Sequence, residues 1–170
     1  MKRLTVPLLM LVLVAAACGS SSTKVASSPS TTAATPVAAT LIVAAVSGVG
    51  QVVVDAKGKT VYVLTADGKT GLPCDDSTGC TKAWPDIKLP AGQSAPTAGA
   101  GVDASLLGTN KVGSESYVTY KGWLLYDFIK DTAAGTANGE GIKSFGGTWY
   151  ALDAHGNLVK PGSAGISTGY

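Results

Sequence analysis

The sequence predicts a mainly β protein, an antiparallel sandwich or partly closed barrel built from two related β-hairpin units behind a disordered N-terminal tether. Three observations predict it. Short β-favouring runs, bounded by Gly, Asp, Asn or Lys, recur along the chain. No stretch shows a sustained helical period, although 102–107 has room for one short turn of helix. Finally, the frame Lys57-Gly58-Lys59-Thr60-Val61-Tyr62-Val63-Leu64-Thr65-Ala66-Asp67 returns as Lys121-Gly122-Trp123-Leu124-Leu125-Tyr126-Asp127-Phe128-Ile129-Lys130-Asp131, displaced by 64 positions (Lys57 to Lys121), with Lys, Gly, Tyr and Asp in register.

In chain order, Met1 to Ala17 has a basic start at Lys2 and Arg3, an apolar run from Leu4 to Val14, and the small residues Ala15-Ala16-Ala17 before Cys18. That is a secretory signal peptide, too short for a membrane span, which needs about 20 apolar residues. Ala15-Ala16-Ala17-Cys18 also resembles a bacterial lipobox, with Ala15 where Leu, Val or Ile is more usual. The chain has three Cys, and an odd count in an exported protein calls for an explanation. Cys74 and Cys80 lie close enough in sequence to close a small disulfide loop, which leaves Cys18 as the lipidated first residue of the mature chain, carrying a diacylglycerol and palmitate. Two or more acyl chains anchor stably where one is marginal. Residues 18–40 are then the lipidated Cys and a Ser/Thr/Ala/Pro-rich tether with one charge, Lys24. Its 22 residues from Gly19 to Thr40 would reach about 25 Å if flexible.

Residues 41–170 are long enough for a single β domain with its own core, holding two repeats at about 48–90 and 112–155. Removing Lys2 and Arg3 from the 13 basic residues leaves 11, all Lys, against 11 acidic ones. A neutral chain without Arg offers neither a basic face for nucleic acid nor a guanidinium fork for phosphate. The expected strands are 41–46, 49–55, 60–65, 117–120, 124–129 and 149–152. Asp55-Ala56-Lys57-Gly58 reads as a hairpin turn, and Asp153-Ala154-His155-Gly156-Asn157 repeats that signal. In the second frame Leu124, Tyr126 and Phe128 share one face while Trp123, Leu125 and Ile129 share the other, so this strand should be buried on both sides. Asp67 and Asp131 follow each strand, where a carboxylate accepts backbone N–H bonds in its own turn.

At these residues the chain resembles a bacterial family of secreted lipoprotein repeats of unknown function, marked by Tyr-x-(Phe/Trp/Tyr)-x-x-Asp. Tyr126-Asp127-Phe128-Ile129-Lys130-Asp131 matches the motif in full, and Tyr62-Val63-Leu64-Thr65-Ala66-Asp67 matches with Leu64 at the aromatic position. The likeness spans about 48–155 and includes Gly58 to Tyr62, Cys74 to Cys80 with Ala83-Trp84-Pro85, Val118 to Gly122, Asn138-Gly139-Glu140-Gly141 and Gly147-Thr148-Trp149-Tyr150. The resemblance implies location and fold, but no reaction.

The residues leave few candidates for chemistry. Tyr62, Asp67, Tyr126, Phe128 and Asp131 would form a polar site if the repeats packed about a twofold axis, since paired carboxylates serve acid–base work or bind a cation. The plainer reading packs each Tyr in the core and each Asp in a turn. His155, the only histidine, occupies the turn position that Lys57 fills in the first copy. No zinc, copper or haem ligand pattern is present, so no metal and no cofactor is expected. The loop from Cys74 to Cys80 reads as a structural staple, ahead of a reactive dithiol or a weak calcium loop. Trp84-Pro85 and Trp149-Tyr150 are expected core or edge anchors, with a minor prospect of glycan binding. The function expected is a membrane-anchored cell-envelope lipoprotein, a binding or structural module and not an enzyme, whose protein or glycan partner is unknown. An accessory in extracytoplasmic redox or metal handling is the alternative. The lipid would hold it to the outer face of the cytoplasmic membrane or to the outer membrane, the alternative being a secreted, soluble protein.

Overall fold

Strand β2, Gly50–Asp55, shows how the sequence builds this fold, because its alternate side chains enter two different apolar clusters: Val52 and Val54 one, Val53 the other. The same division holds in β3, Tyr62–Leu64, with Tyr62 and Leu64 on one side and Val63 on the other. The computed structural model describes residues 40–67 and 74–160. The expected signal peptide, Cys18 and all of the tether but its last residue lie outside the described residues.

The remaining elements are β1 (Leu41–Val46), a turn of helix α1 (Cys80–Ala83), β4 (Leu107–Val112), β5 (Glu115–Tyr120), β6 (Trp123–Leu124), β7 (Lys143–Ser144) and β8 (Gly147–Ala151). They form three antiparallel sheets, β1-β2, β3-β8-β7 and β4-β5-β6. Single bridges tie the sheets to the segments between them: Val54 with Thr60, Tyr62 with Tyr126, and Lys88 with Tyr117, with Asp86 bridged in turn to Tyr126. The expected mainly β, antiparallel architecture is present; the barrel is not closed, because sheets joined through isolated bridges do not share one continuous ladder. The short turn of helix expected in 102–107 is a 3-10 turn at Ala104–Leu106, and β4 and β7 are strands that the β-favouring runs did not mark.

The two frames are interleaved. Tyr62 pairs with Ala151 and Leu64 with Trp149, so the first frame's Tyr strand lies beside the Trp strand of the second. Tyr126 pairs with Asp86, and the Asp127 and Ile129 N–H groups donate to Pro85 and Ala83 carbonyls at 2.9 and 3.0 Å, so the second frame's Tyr strand lies beside the Trp strand of the first. The surrounding bonds recur, displaced by one position more than the frames: Val53 N–H donates to the Leu152 carbonyl and Val118 N–H to that of Ile87, both at 2.8 Å. The turns recur too. Asp55 Oδ1 accepts from the N–H groups of Lys57 and Lys59, as Asp153 Oδ1 does from those of His155 and Asn157, and Gly58 and Gly156 supply the positive φ that each turn requires.

Leu124, Tyr126 and Phe128 enter one cluster and Leu125 the other, as the alternation required. Ile129 departs from it and is 59% exposed. Its N–H makes the last pairing bond, to the Ala83 carbonyl, and the strand ends there, with the Asp131 N–H turning back to the Phe128 carbonyl at 3.0 Å. The Cys74–Cys80 disulfide is formed, with both half-cystines buried in the Tyr and Trp cluster.

Closing so short a loop restrains the unfolded chain, so Cys74→Ser with Cys80→Ser is expected to destabilise the domain by about 2–3 kcal/mol. Urea denaturation of the purified chain checks this; an unchanged midpoint would show that the bridge does not staple the fold.

Candidate functional site

The site grows from one backbone contact. Tyr62 N–H donates to the Tyr126 carbonyl at 2.8 Å and Tyr126 N–H returns a bond to the Tyr62 carbonyl at 2.9 Å. This fixes the two tyrosines side by side in antiparallel strands. Each ring meets the Trp of its own frame edge-on: Tyr62 with Trp84 at 5.5 Å and 79°, Tyr126 with Trp149 at 5.2 Å and 89°. The two indoles stack at 3.8 Å and 3°, and Phe128 stacks on Trp84 at 4.1 Å. Edge-to-face and stacked pairs of this kind add about 0.5–1.5 kcal/mol each beyond the area they bury.

The hydroxyls then cross over. Tyr62 Oη donates to Asp131 Oδ2 at 2.6 Å, and Tyr126 Oη donates to Asp67 Oδ2 at 2.7 Å. Each carboxylate is thus held by the tyrosine of the other frame, a pairing beyond the turn-closing role expected from its position. Asp131 also serves its own loop, with Oδ1 accepting from Asn138 N–H at 2.8 Å, Asn138 Nδ2 at 3.0 Å and Thr136 Oγ1 at 3.2 Å. Tyr62 Oη further accepts from Gly139 N–H at 3.2 Å. A side chain at Gly139 would collide with Tyr62 and Trp84, so the glycine is required by the close approach.

The first frame is less complete. Asp67 is only 4% exposed, and among the described residues its Oδ1 has no hydrogen bond of good geometry, although the Cys74 amide lies near enough to favour the anion. Burial pushes the Asp67 carboxyl up to about 6; the Tyr126 hydroxyl opposes the shift and the neighbouring Asp86 charge adds to it. Asp86 is itself raised to about 6, mainly by burial against the pull of Lys88. Glu140 is raised by burial to about 7, with Oε2 accepting from Ala151 N–H at 2.8 Å and Oε1 unpartnered among the described residues. Both phenols are pushed above their ordinary range, first by burial and then by the carboxylate each one bonds.

Chemically these groups neutralise one another. A phenol that donates to a carboxylate, and whose ionisation is suppressed, is a poor nucleophile or base, and neither carboxylate oxygen facing it is open to a ligand. Among the described residues no three His, Cys, Asp or Glu side chains group as metal ligands. A cleft of about 320 Å³ beside the disulfide is lined by Asp75, Asp76, Asp86, Lys88 and Tyr117. Its two loop carboxylates are turned inward on the loop itself, Asp75 accepting from Ser77 and Thr78 and Asp76 from Thr81. Trp84 and Trp149 are 1% and 0% exposed, which places both in the core and out of reach of a glycan. His155 lies exposed in its turn.

The structure thus joins Tyr62, Asp67, Tyr126 and Asp131, with Phe128 stacked beside them. Sequence reasoning did not single out Asp86 or Glu140. Glu140 sits in the Asn138-Gly139-Glu140-Gly141 run, but its burial depends on Ala151 in a distant strand, which no local pattern reports.

Together the fold and site define an interleaved β module that spends its most distinctive polar residues on its own cohesion. Residues 109–153 match a family described as a secreted repeat of unknown function. The matched span holds Tyr126, Phe128 and Asp131 and leaves out Tyr62 and Asp67. Comparisons with curated proteins and with solved structures give no match.

Two predictions follow from the unequal surroundings of the carboxylates and from their burial. Tyr126→Phe strips Asp67 of its bonded partner and is expected to cost about 2–3 kcal/mol at pH 7, whereas Tyr62→Phe leaves Asp131 its Asn138 and Thr136 bonds and should cost about 1 kcal/mol. Denaturant titration of the two variants measures the difference, and equal costs would contradict the ranking. The raised carboxyls set the pH dependence. Between an ordinary carboxyl pKa near 4 and values of about 6 for Asp67 and Asp86 and about 7 for Glu140, the folded state holds protons that the unfolded chain has released. Their contribution is full below about pH 4 and disappears as pH rises through 6 to 7. The melting temperature should therefore be higher at pH 5 than at pH 8, and Glu140→Gln should flatten the upper part of the profile.

Proposed function

We propose that the protein is a lipid-anchored binding or structural module of the bacterial cell envelope, built from two copies of one repeat. The observation that carries the structural side is the crossed Tyr62–Asp131 and Tyr126–Asp67 pairs: the residues that most resemble an active-site signature are committed to each other. Recurrence of the same backbone pairing around Val53 and Val118, one position off the displacement of the two frames, supports the duplication. The export side is supported by the match to a secreted repeat and by the leader ending at Ala17-Cys18. Cys18 would carry the lipid and the residues up to Thr40 would space the domain from the membrane surface. The alternative role in extracytoplasmic redox or metal handling draws on the same tyrosines and aspartates, and their mutual bonding weakens it.

Expression of the full chain in a bacterial host tests the anchor. The protein should sediment with membranes, the mass of its mature N-terminal peptide should show acylated Cys18, and Cys18→Ser should move it to the soluble extracytoplasmic fraction. An unmodified Cys18 on a soluble wild-type protein would overturn the anchor.

A further inference from the structure

The β5–β6 hairpin turns through Lys121 and Gly122, both with positive φ, 52° and 80°. Among the described residues only Lys121 and Phe145 adopt this conformation without being glycine. For a residue with a Cβ it is strained, and in a two-residue hairpin turn Asn or Gly would meet the requirement at less cost. Persistent strain of this kind points to a role for the side chain.

The side chain is also held in place. A Cβ at Gly156 would fall 2.7 Å from Lys121 Cβ and 2.8 Å from its Cδ, so the lysine stem lies across the 153–157 turn, where only glycine leaves room. Lys121 Nζ donates to Asn157 Oδ1 at 2.8 Å, while Asn157 Nδ2 donates to Asp153 Oδ2 at 3.0 Å. Asp153 thereby orients the amide so that its oxygen faces the ammonium. The partner of the ammonium is neutral, so its charge is placed but not cancelled by that bond. It lines an open groove of about 350 Å³ with Trp123, Leu158 and Lys160. Trp123 is half-buried, in contrast to the two core indoles.

We propose that this groove binds an acidic saccharide of the cell envelope, with Trp123 taking the apolar face of a sugar ring and Lys121 its carboxylate. An aromatic wall beside a fixed point charge suits that ligand class: ring C–H groups pack on the indole, and the anion meets an ammonium that has already lost much of its rotamer freedom. The choice of an envelope saccharide rests on the location proposed above; the groove itself does not.

Intrinsic fluorescence of the purified mature chain provides the test, since Trp84 and Trp149 are sealed in the core and a ligand-dependent change reports Trp123. Tetragalacturonate should produce a saturable change, with neutral maltotetraose at least tenfold weaker. Lys121→Gly should relieve the turn, melt no lower than the wild type, and bind tetragalacturonate at least tenfold more weakly. Trp123→Phe should lose the fluorescence change while isothermal titration calorimetry still shows tetragalacturonate binding. No response to tetragalacturonate, equal response to maltotetraose, undiminished binding by Lys121→Gly, or response only to phosphatidylglycerol vesicles would each overturn the proposal. Binding by the purified chain does not depend on acylation, so failure of the Cys18 experiment alone leaves this result standing.

Discussion

Two phenol–carboxylate hydrogen bonds, crossing between segments that are far apart in the chain, hold the rest of this structure in register. Tyr62 and Asp131 are 69 positions apart, and Tyr126 and Asp67 are 59. Each buried carboxylate would cost several kcal/mol if left unpaired, so the Tyr strands cannot slide past one another without stranding an acid in the core. Backbone exchange between Tyr62 and Tyr126 fixes the centre, the stacked indoles fill the space beside it, and the flanking hairpins are left to cover the two faces. The aromatic and polar parts reinforce each other: burial by Trp84, Trp149 and Phe128 strengthens the hydrogen bonds that position those rings.

The two halves solve the same problem differently. Asp131 is satisfied by its own loop through Asn138 and Thr136 as well as by the opposite tyrosine. Asp67 lacks that set of donors and lies instead close to Asp86 and the disulfide. The cross-link therefore stands on the side where polar satisfaction is poorer, and the first frame, with Leu64 in place of an aromatic ring, is also the one outside the segment matched as a secreted repeat. The difference between the frames is concentrated in how each one supports its carboxylate.

Much of the local structure was legible in the residues. The strands at 41–46, 49–55, 60–65 and 149–152, the two Asp-initiated turns and the two-sided burial of Leu124 to Phe128 all follow from period-two alternation and turn chemistry, which act over a few positions. The aspartates show where legibility ended. Their spacing after each tyrosine announced a shared role, but a Tyr followed by an Asp suggests a local turn, whereas the bonded partner lies in the other frame. Pairing across frames is a property of topology, and nothing in either eleven-residue segment states which copy its hydroxyl will reach. Ile129 failed for a related reason: alternation carries no mark of where a strand stops.

Interleaving has a consequence for how the chain reaches its folded state. Since each Tyr strand is paired with the Trp strand of the other frame, β3 in the first half has no partner strand until β8 is made, and only the β1–β2 pair is complete there. The small Cys74–Cys80 loop can close at once, being local, but the aromatic core must wait until β8 has been delivered, close to the end of the described chain. Folding then proceeds as one late, cooperative event that closes long loops before any large gain, which places it among the slower topologies for its size. Until that moment the first half cannot lock into its final packing, and the strand exchange that stabilises the finished domain is also what postpones it.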